Sequence, residues 1–276
     1  MRALINNNHI FYTEEGPAEG LPAIFLHGFP FNHSMWLGQL KAVGGFCRAV
    51  AYDTKGHGLS DVGDGQYSIE GHVDDLIGVL DALRIKRAVI VGLSMGGYIA
   101  LRALERNPER FLAAVLCDTR SEADTNDARV RRFAGVKTVK LEGSAVFADT
   151  FVKAIFAQES FARKPEAVAM IHQIIESTPP LSLAGTLLAL ASRTDTTPSL
   201  GSIRIPTLIM VGEHDGVTPV DASRAMHERI SGSTLHVIPG AGHMSNLENA
   251  EVFNERLVAF LKKVAAVSFP PPTLSE

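Results

Sequence analysis

The sequence predicts an α/β protein, a doubly wound and mainly parallel sheet with an inserted helical lid. Three observations predict it. Short β-branched apolar runs such as Ala88, Val89, Ile90 and Val91, suited to a strand buried on both faces, alternate with helical segments across short connections. A serine, Ser94, sits between such a run and a helix with glycines two before and two after it, Gly92 and Gly96. From 121 to 198 the alternation stops and the chain reads as consecutive helices. The expected organisation is therefore a core made of 1–120 and 199–266, a lid at 121–198, and a tail at 267–276. Pro270, Pro271 and Pro272 make disorder the expectation for that tail.

The 276 residues are 46% hydrophobic, enough for one large domain with an insertion. A net charge of -4 leaves no basic footprint, so neither nucleic acid nor an anionic membrane is expected as a partner. Cys47 and Cys117 both lie in apolar stretches and read as buried small hydrophobes, without metal-ligand spacing. The N-terminus lacks the apolar segment of a signal peptide and no run reaches the length of a membrane span, which makes a cytoplasmic location the expectation. Neither a cofactor nor a metal is expected, and the oligomeric state is left open.

In chain order, 4–12 and 23–27 read as strands around the turn-rich 14–22. The second runs into His27, Gly28, Phe29 and Pro30. A helix over 34–43 carries Trp36, and 48–52 is a strand. In the loop at 53–60 the glycines beside His57 suit a special backbone path, which gives that histidine a structural role. Val73, Leu76, Ile77, Leu80 and Leu83 mark an amphipathic helix over 70–83. The strand at 88–91 and its helix from Met95 follow, then a strand at 111–117 ending at Asp118. Lid helices are expected at 127–133, 142–156, 165–177 and 181–191. Their Phe147, Phe151, Ile155, Phe156 and Phe161 either face a pocket or pack. Strands at 207–211 and 234–238 lead into loops carrying Asp215 and His243, and a helix over 252–264 closes the core.

The glycines around Ser94 have a steric reason: in so tight a turn a Cβ at Gly92 or Gly96 would strike backbone, while Ser94 itself is strained. A serine hydroxyl needs a base to take its proton, and the base works better if a carboxylate orients it. In such sheets the functional loops leave the carboxyl ends of the strands, and two of them supply His243 and Asp215, in the chain order serine, aspartate, histidine. Glu213 and Asp118 are the other carboxylates available for that place. The backbone amides of Phe29 and Met95 are the expected oxyanion hole, since two donors must converge on the developing charge.

Taken together, the stretches HGFP, DTKGHGLS, GLSMGG, VGEHDGVTP and GAGHMSNLENAEVF resemble the α/β-hydrolase superfamily. The likeness is closest to its carboxylesterase, arylesterase, 3-oxoadipate enol-lactonase and cofactor-free haloperoxidase group, and runs from about 5 to 261, strong in the core loops and weak in the lid. It implies an α/β-hydrolase fold with Ser94 as nucleophile, His243 as base then acid, Asp215 as its partner, and an oxyanion hole at Phe29 and Met95. Lys55 departs from the arginine often found there. Serine at 94 argues against relatives with an aspartate nucleophile. Tyr12, Tyr52, Tyr67 and Tyr98 all lie outside the lid, where epoxide hydrolases need tyrosines, and Met95 replaces a halide-binding tryptophan. No lysine lies near His243, as a hydroxynitrile lyase would need. What remains is acyl transfer to water, on a small ester of short to medium acyl or aryl type. Phe29, Pro30, Met95 and lid residues are expected to wall the pocket. A lactonase is the alternative; for a carboxylated lactone the one candidate cation is Arg120. Pro30 is shared with relatives of perhydrolase side activity, and a slow-turnover ligand receptor is the reading from another class.

Overall fold

The apolar runs become the strands of one eight-stranded sheet, in a computed structural model that describes residues 1–268. Its strands are β1 (Arg2–Ile5), β2 (Asn8–Glu15), β3 (Leu21–Leu26), β4 (Cys47–Tyr52), β5 (Ala88–Leu93), β6 (Phe111–Cys117), β7 (Thr207–Gly212) and β8 (Thr234–Ile238). They lie in the order β1-β2-β4-β3-β5-β6-β7-β8. Pairing is parallel from β4 to β8 across the sheet, with β1 and β2 added antiparallel at one edge. Every residue of β5 and β7 is buried, which is why both read as unbroken apolar runs.

One expected strand is two. The 4–12 segment folds back as a hairpin because Asn6 and Asn7 take positive φ, 47° and 62°, the paired left-handed turn that asparagine tolerates.

The core helices are α1 (Leu37–Val43), α2 (Ile69–Ala82) and α3 (Met95–Arg106). Trp36 lies in a 3-10 turn before α1, fully buried, edge-on to Phe25 at 5.4 Å. Between β6 and β7 the chain forms α4 (Asn126–Glu142), α5 (Ser144–Ile155), α6 (Ser160–Arg163), α7 (Pro165–Ser177) and α8 (Pro180–Ala191). The first of these runs well past the expected 133, and Gly143 at φ 90° divides it from α5. No single helix among the described residues is long and apolar enough to cross a membrane; α7 and α8 reach that length only together, across a 99° bend.

After β7 comes α9 (Val220–Arg229), which the sequence did not announce: only Ser223 and Met226 are buried, too few apolar positions for a stripe. The chain closes with α10 (Ser245–Glu248) and α11 (Ala250–Ser268). Val267 and Ser268 thus end a helix where a tail was expected to begin; the rest of that tail, 269–276 with its three prolines, lies outside the described residues.

Candidate active site

The turn after β5 is built by close approach. A Cβ at Gly92 would lie 2.3 Å from the Gly96 carbonyl oxygen, and one at Gly96 would lie 2.2 Å from that of Leu26. Ser94 between them is held at φ 55°, ψ -113°, a strained conformation for a residue with a Cβ. Neighbouring β6 holds the turn: the Ser94 N–H donates to Cys117 O (2.9 Å), and Ser94 O accepts from Thr119 Oγ1 (2.9 Å).

Three strands share the edge from which the other groups come. Asp215 follows β7 and His243 follows β8, and their side chains meet, Nδ1 to Oδ2 at 2.8 Å, both residues buried. Asp215 Oδ1 also accepts the N–H groups of Val217 (2.8 Å) and Thr218 (2.9 Å), while Oδ2 accepts the Thr218 hydroxyl (2.6 Å). Burial works to raise the Asp215 pKa, but the His243 charge, its hydrogen bond and the Thr218 donors together hold this carboxyl below the usual carboxylate range. An ionised Asp215 assigns the proton to His243 Nδ1 and leaves Nε2 to act as a base.

Neither competing carboxylate contacts that ring. Glu213 is exposed and accepts the Gly240 N–H (2.9 Å). Asp118, fully buried, accepts the Gly212 N–H (2.8 Å) and bonds the Ser245 hydroxyl. Burial, then the Asp215 charge, push its carboxyl well above the ordinary carboxylate range.

The loop after β3 is fixed by a histidine. His27 Nε2 accepts the Thr54 N–H (3.0 Å), which obliges Nδ1 to carry the proton it donates to Gly28 O (2.8 Å). Burial lowers the His27 pKa and keeps it in that neutral form. His57 bonds the same Thr54, through its hydroxyl (3.1 Å), a place in the scaffold of this loop. Phe29 and Met95 are buried, and among the described residues neither N–H meets an acceptor. Buried amides without partners are costly, and an anionic oxygen would satisfy them.

The helices between β6 and β7 bring aromatic rings against Phe29. Phe147 and Phe151 of α5 stack on each other (5.3 Å), and both present edges to Phe29 (6.1 and 5.8 Å). Phe156 and Phe161 instead contact each other, at 6.4 Å, so the aromatic stripe splits between two environments. Pro30 is buried beside Phe29. Arg120 is held by the loop that carries Asp215. Its guanidinium donates to Val217 O in the Asp215 loop, and it lines a small cavity with Tyr98, Arg102 and Arg193, with Arg193 lying over the Tyr98 ring. Thr218 and Glu248 were missed in the sequence. The hydroxyl three positions after Asp215 was the available signal for the first, and the acid five positions after His243 was the signal for the second. Among the described residues no group of His, Cys, Asp or Glu is arranged to hold a metal.

A family model described as the alpha/beta hydrolase family matches residues 23–256. A 3-oxoadipate enol-lactonase of Acinetobacter baylyi is 32% identical over 251 residues, 90% of this chain and 91% of the relative. A non-heme chloroperoxidase of Burkholderia pyrrocinia is 30% identical, covering 93% of this chain and 97% of its own. Among solved structures, a thermophilic esterase from Thermogutta terrifontis superposes with a TM-score of 0.91 at 31% identity, covering 96% of this chain and 98% of that one.

Proposed function

The chain belongs to the alpha/beta hydrolase family, and on that premise we propose that it hydrolyses carboxylic esters of short to medium acyl or aryl groups through an acyl-enzyme on Ser94. His243 Nε2 takes the Ser94 proton as Oγ attacks the ester carbonyl. The oxyanion that forms is received by the N–H groups of Phe29 and Met95. The alcohol leaves with the proton from His243, and an acyl-Ser94 ester remains. Water, deprotonated by the same ring, then attacks that ester and frees the acid and the serine.

The observation that carries this reading is the 2.8 Å hydrogen bond from His243 to Asp215, on the sheet edge that also bears the strained Ser94 turn. The uncharged aromatic wall of Phe29, Phe147 and Phe151 favours an apolar acyl or aryl group. Arg120, the one cation considered for a substrate carboxylate, donates instead to Val217 O, which favours a neutral ester.

Lactone opening is the second reading, favoured by the enol-lactonase relative; a lactone is a cyclic ester and needs no new group. The two separate in a steady-state comparison of a p-nitrophenyl ester chain-length series with a panel of lactones, each run beside Ser94→Ala. Higher kcat/KM on short neutral esters, lost in the variant, is the expected result. Higher kcat/KM on lactones would replace the ester reading with the second.

A further inference from the structure

Glu248, the last residue of α10, is a buried carboxylate, and among the described residues no cation pairs with it. Isolating such a charge from water costs several kcal/mol unless hydrogen bonds replace the lost hydration. Four do, and they divide evenly between two parts of the molecule. Oε1 accepts the N–H groups of Gly242 (2.9 Å) and Met244 (3.0 Å), the residues on either side of His243. Oε2 accepts the N–H of Ala157 (2.8 Å) and the hydroxyl of Ser160 (2.6 Å), in the lid between α5 and α6. The N–H of His243 itself donates to Ile155 O (2.8 Å), at the end of α5. All three consecutive amides of the histidine loop are therefore committed to the lid or to this carboxylate. The approach is close enough that a Cβ on Gly242 would lie 2.6 Å from the Ala157 nitrogen.

We propose that Glu248 is a positioning residue for His243, clamping the loop that carries the ring to the lid segment at 155–160. The proposal rests on the reading of His243 as the general base. Asp215 fixes the ring's tautomer and rotation, whereas Glu248 fixes the backbone from which the ring hangs, and both are needed to hold Nε2 in place. At this seam the lid and the base form one body, so substrate enters past other parts of the lid.

Glu248→Gln keeps the side chain's shape but turns an NH2 group towards one pair of N–H or O–H donors. With p-nitrophenyl acetate, the variant is expected to keep its near-UV circular dichroism and a KM within about twofold, while kcat falls about 10- to 100-fold, the cost of displacing a catalytic group by about an ångström. Labelling of Ser94 by a fluorophosphonate should slow in parallel, because that reaction also needs the base. A folded variant whose kcat is unchanged, or whose loss lies in KM alone, would overturn the proposal. Should Glu248→Gln not fold, Ser160→Ala decides: removing one lid donor should lower kcat with KM unchanged, and an unaltered kcat would overturn the clamp. His243→Ala separates the two levels. If it retains turnover, the base assignment falls and takes this proposal with it; if it is inactive while folded Glu248→Gln is fully active, only the role of Glu248 falls.

Discussion

Asp118 and Asp215 are carboxyl groups at the ends of neighbouring strands, both buried, yet their surroundings shift their pKa values in opposite directions. Asp215 collects four hydrogen bonds with the histidine ring among them, while Asp118 has a backbone amide and one hydroxyl. Asp215→Asn should invert the ring's donor and acceptor pattern and lower kcat about 10⁴-fold, as loss of the aspartate does in a serine-protease triad. Asp118→Asn should leave most of the turnover, because this residue does not touch the ring. Its effect belongs to stability. A raised folded-state pKa means that the folded chain keeps this proton to higher pH than the unfolded chain, which releases it above a pKa of about 3.9, so this residue's contribution is fully present below that pH and is lost as pH rises through the folded-state value. The asparagine variant has no such proton to lose. Melting temperatures of the pair should therefore shift in favour of Asp118→Asn between pH 5 and pH 8; a shift in the wild type's favour would contradict a raised pKa for Asp118. From sequence, the placement of Ser94, Asp215 and His243 was legible because each follows an apolar strand, and the structure brings the last two into hydrogen-bond contact. Thr218 and Glu248 were not legible, since their spacing from Asp215 and His243 carries no mark of which groups they will meet.

Among the elements, the strand that enters the serine turn and the helix that leaves it are joined by contacts that only glycine permits. Gly96→Ala would set a Cβ 2.2 Å from the backbone oxygen of Leu26, where no flexible side chain can give way. This variant should lose about 2–4 kcal/mol of stability and most of its turnover together, measurable by denaturant melts beside ester hydrolysis. Near-native stability would show that the turn relaxes. The central strands and α2 and α3 were readable because full or one-sided burial imposes a period on their sequence. Where burial is slight the period fails. α9 hides only two side chains, and α4 buries only Val139, so the first was missed and the second was drawn too short. The edge hairpin was read as one strand because its turn is made by two asparagines, without the glycine that usually announces it.

At the scale of the whole molecule, one mainly parallel sheet carries Ser94 after β5, Asp215 after β7 and His243 after β8, and the helical segment between β6 and β7 is hydrogen-bonded to the loop after the last of them. The sequence established the fold class and the family; the packing of the helices between β6 and β7 was not legible, because no periodicity encodes it. The central claim is covalent catalysis on Ser94, and the most direct test is rapid acid quenching of the enzyme with a hindered acyl ester, whose deacylation is slow, followed by peptide mass mapping. The account predicts one acyl adduct, on the peptide containing Ser94, forming with the burst of alcohol release and absent from Ser94→Ala. An adduct on another residue, or undiminished turnover in Ser94→Ala, would contradict it.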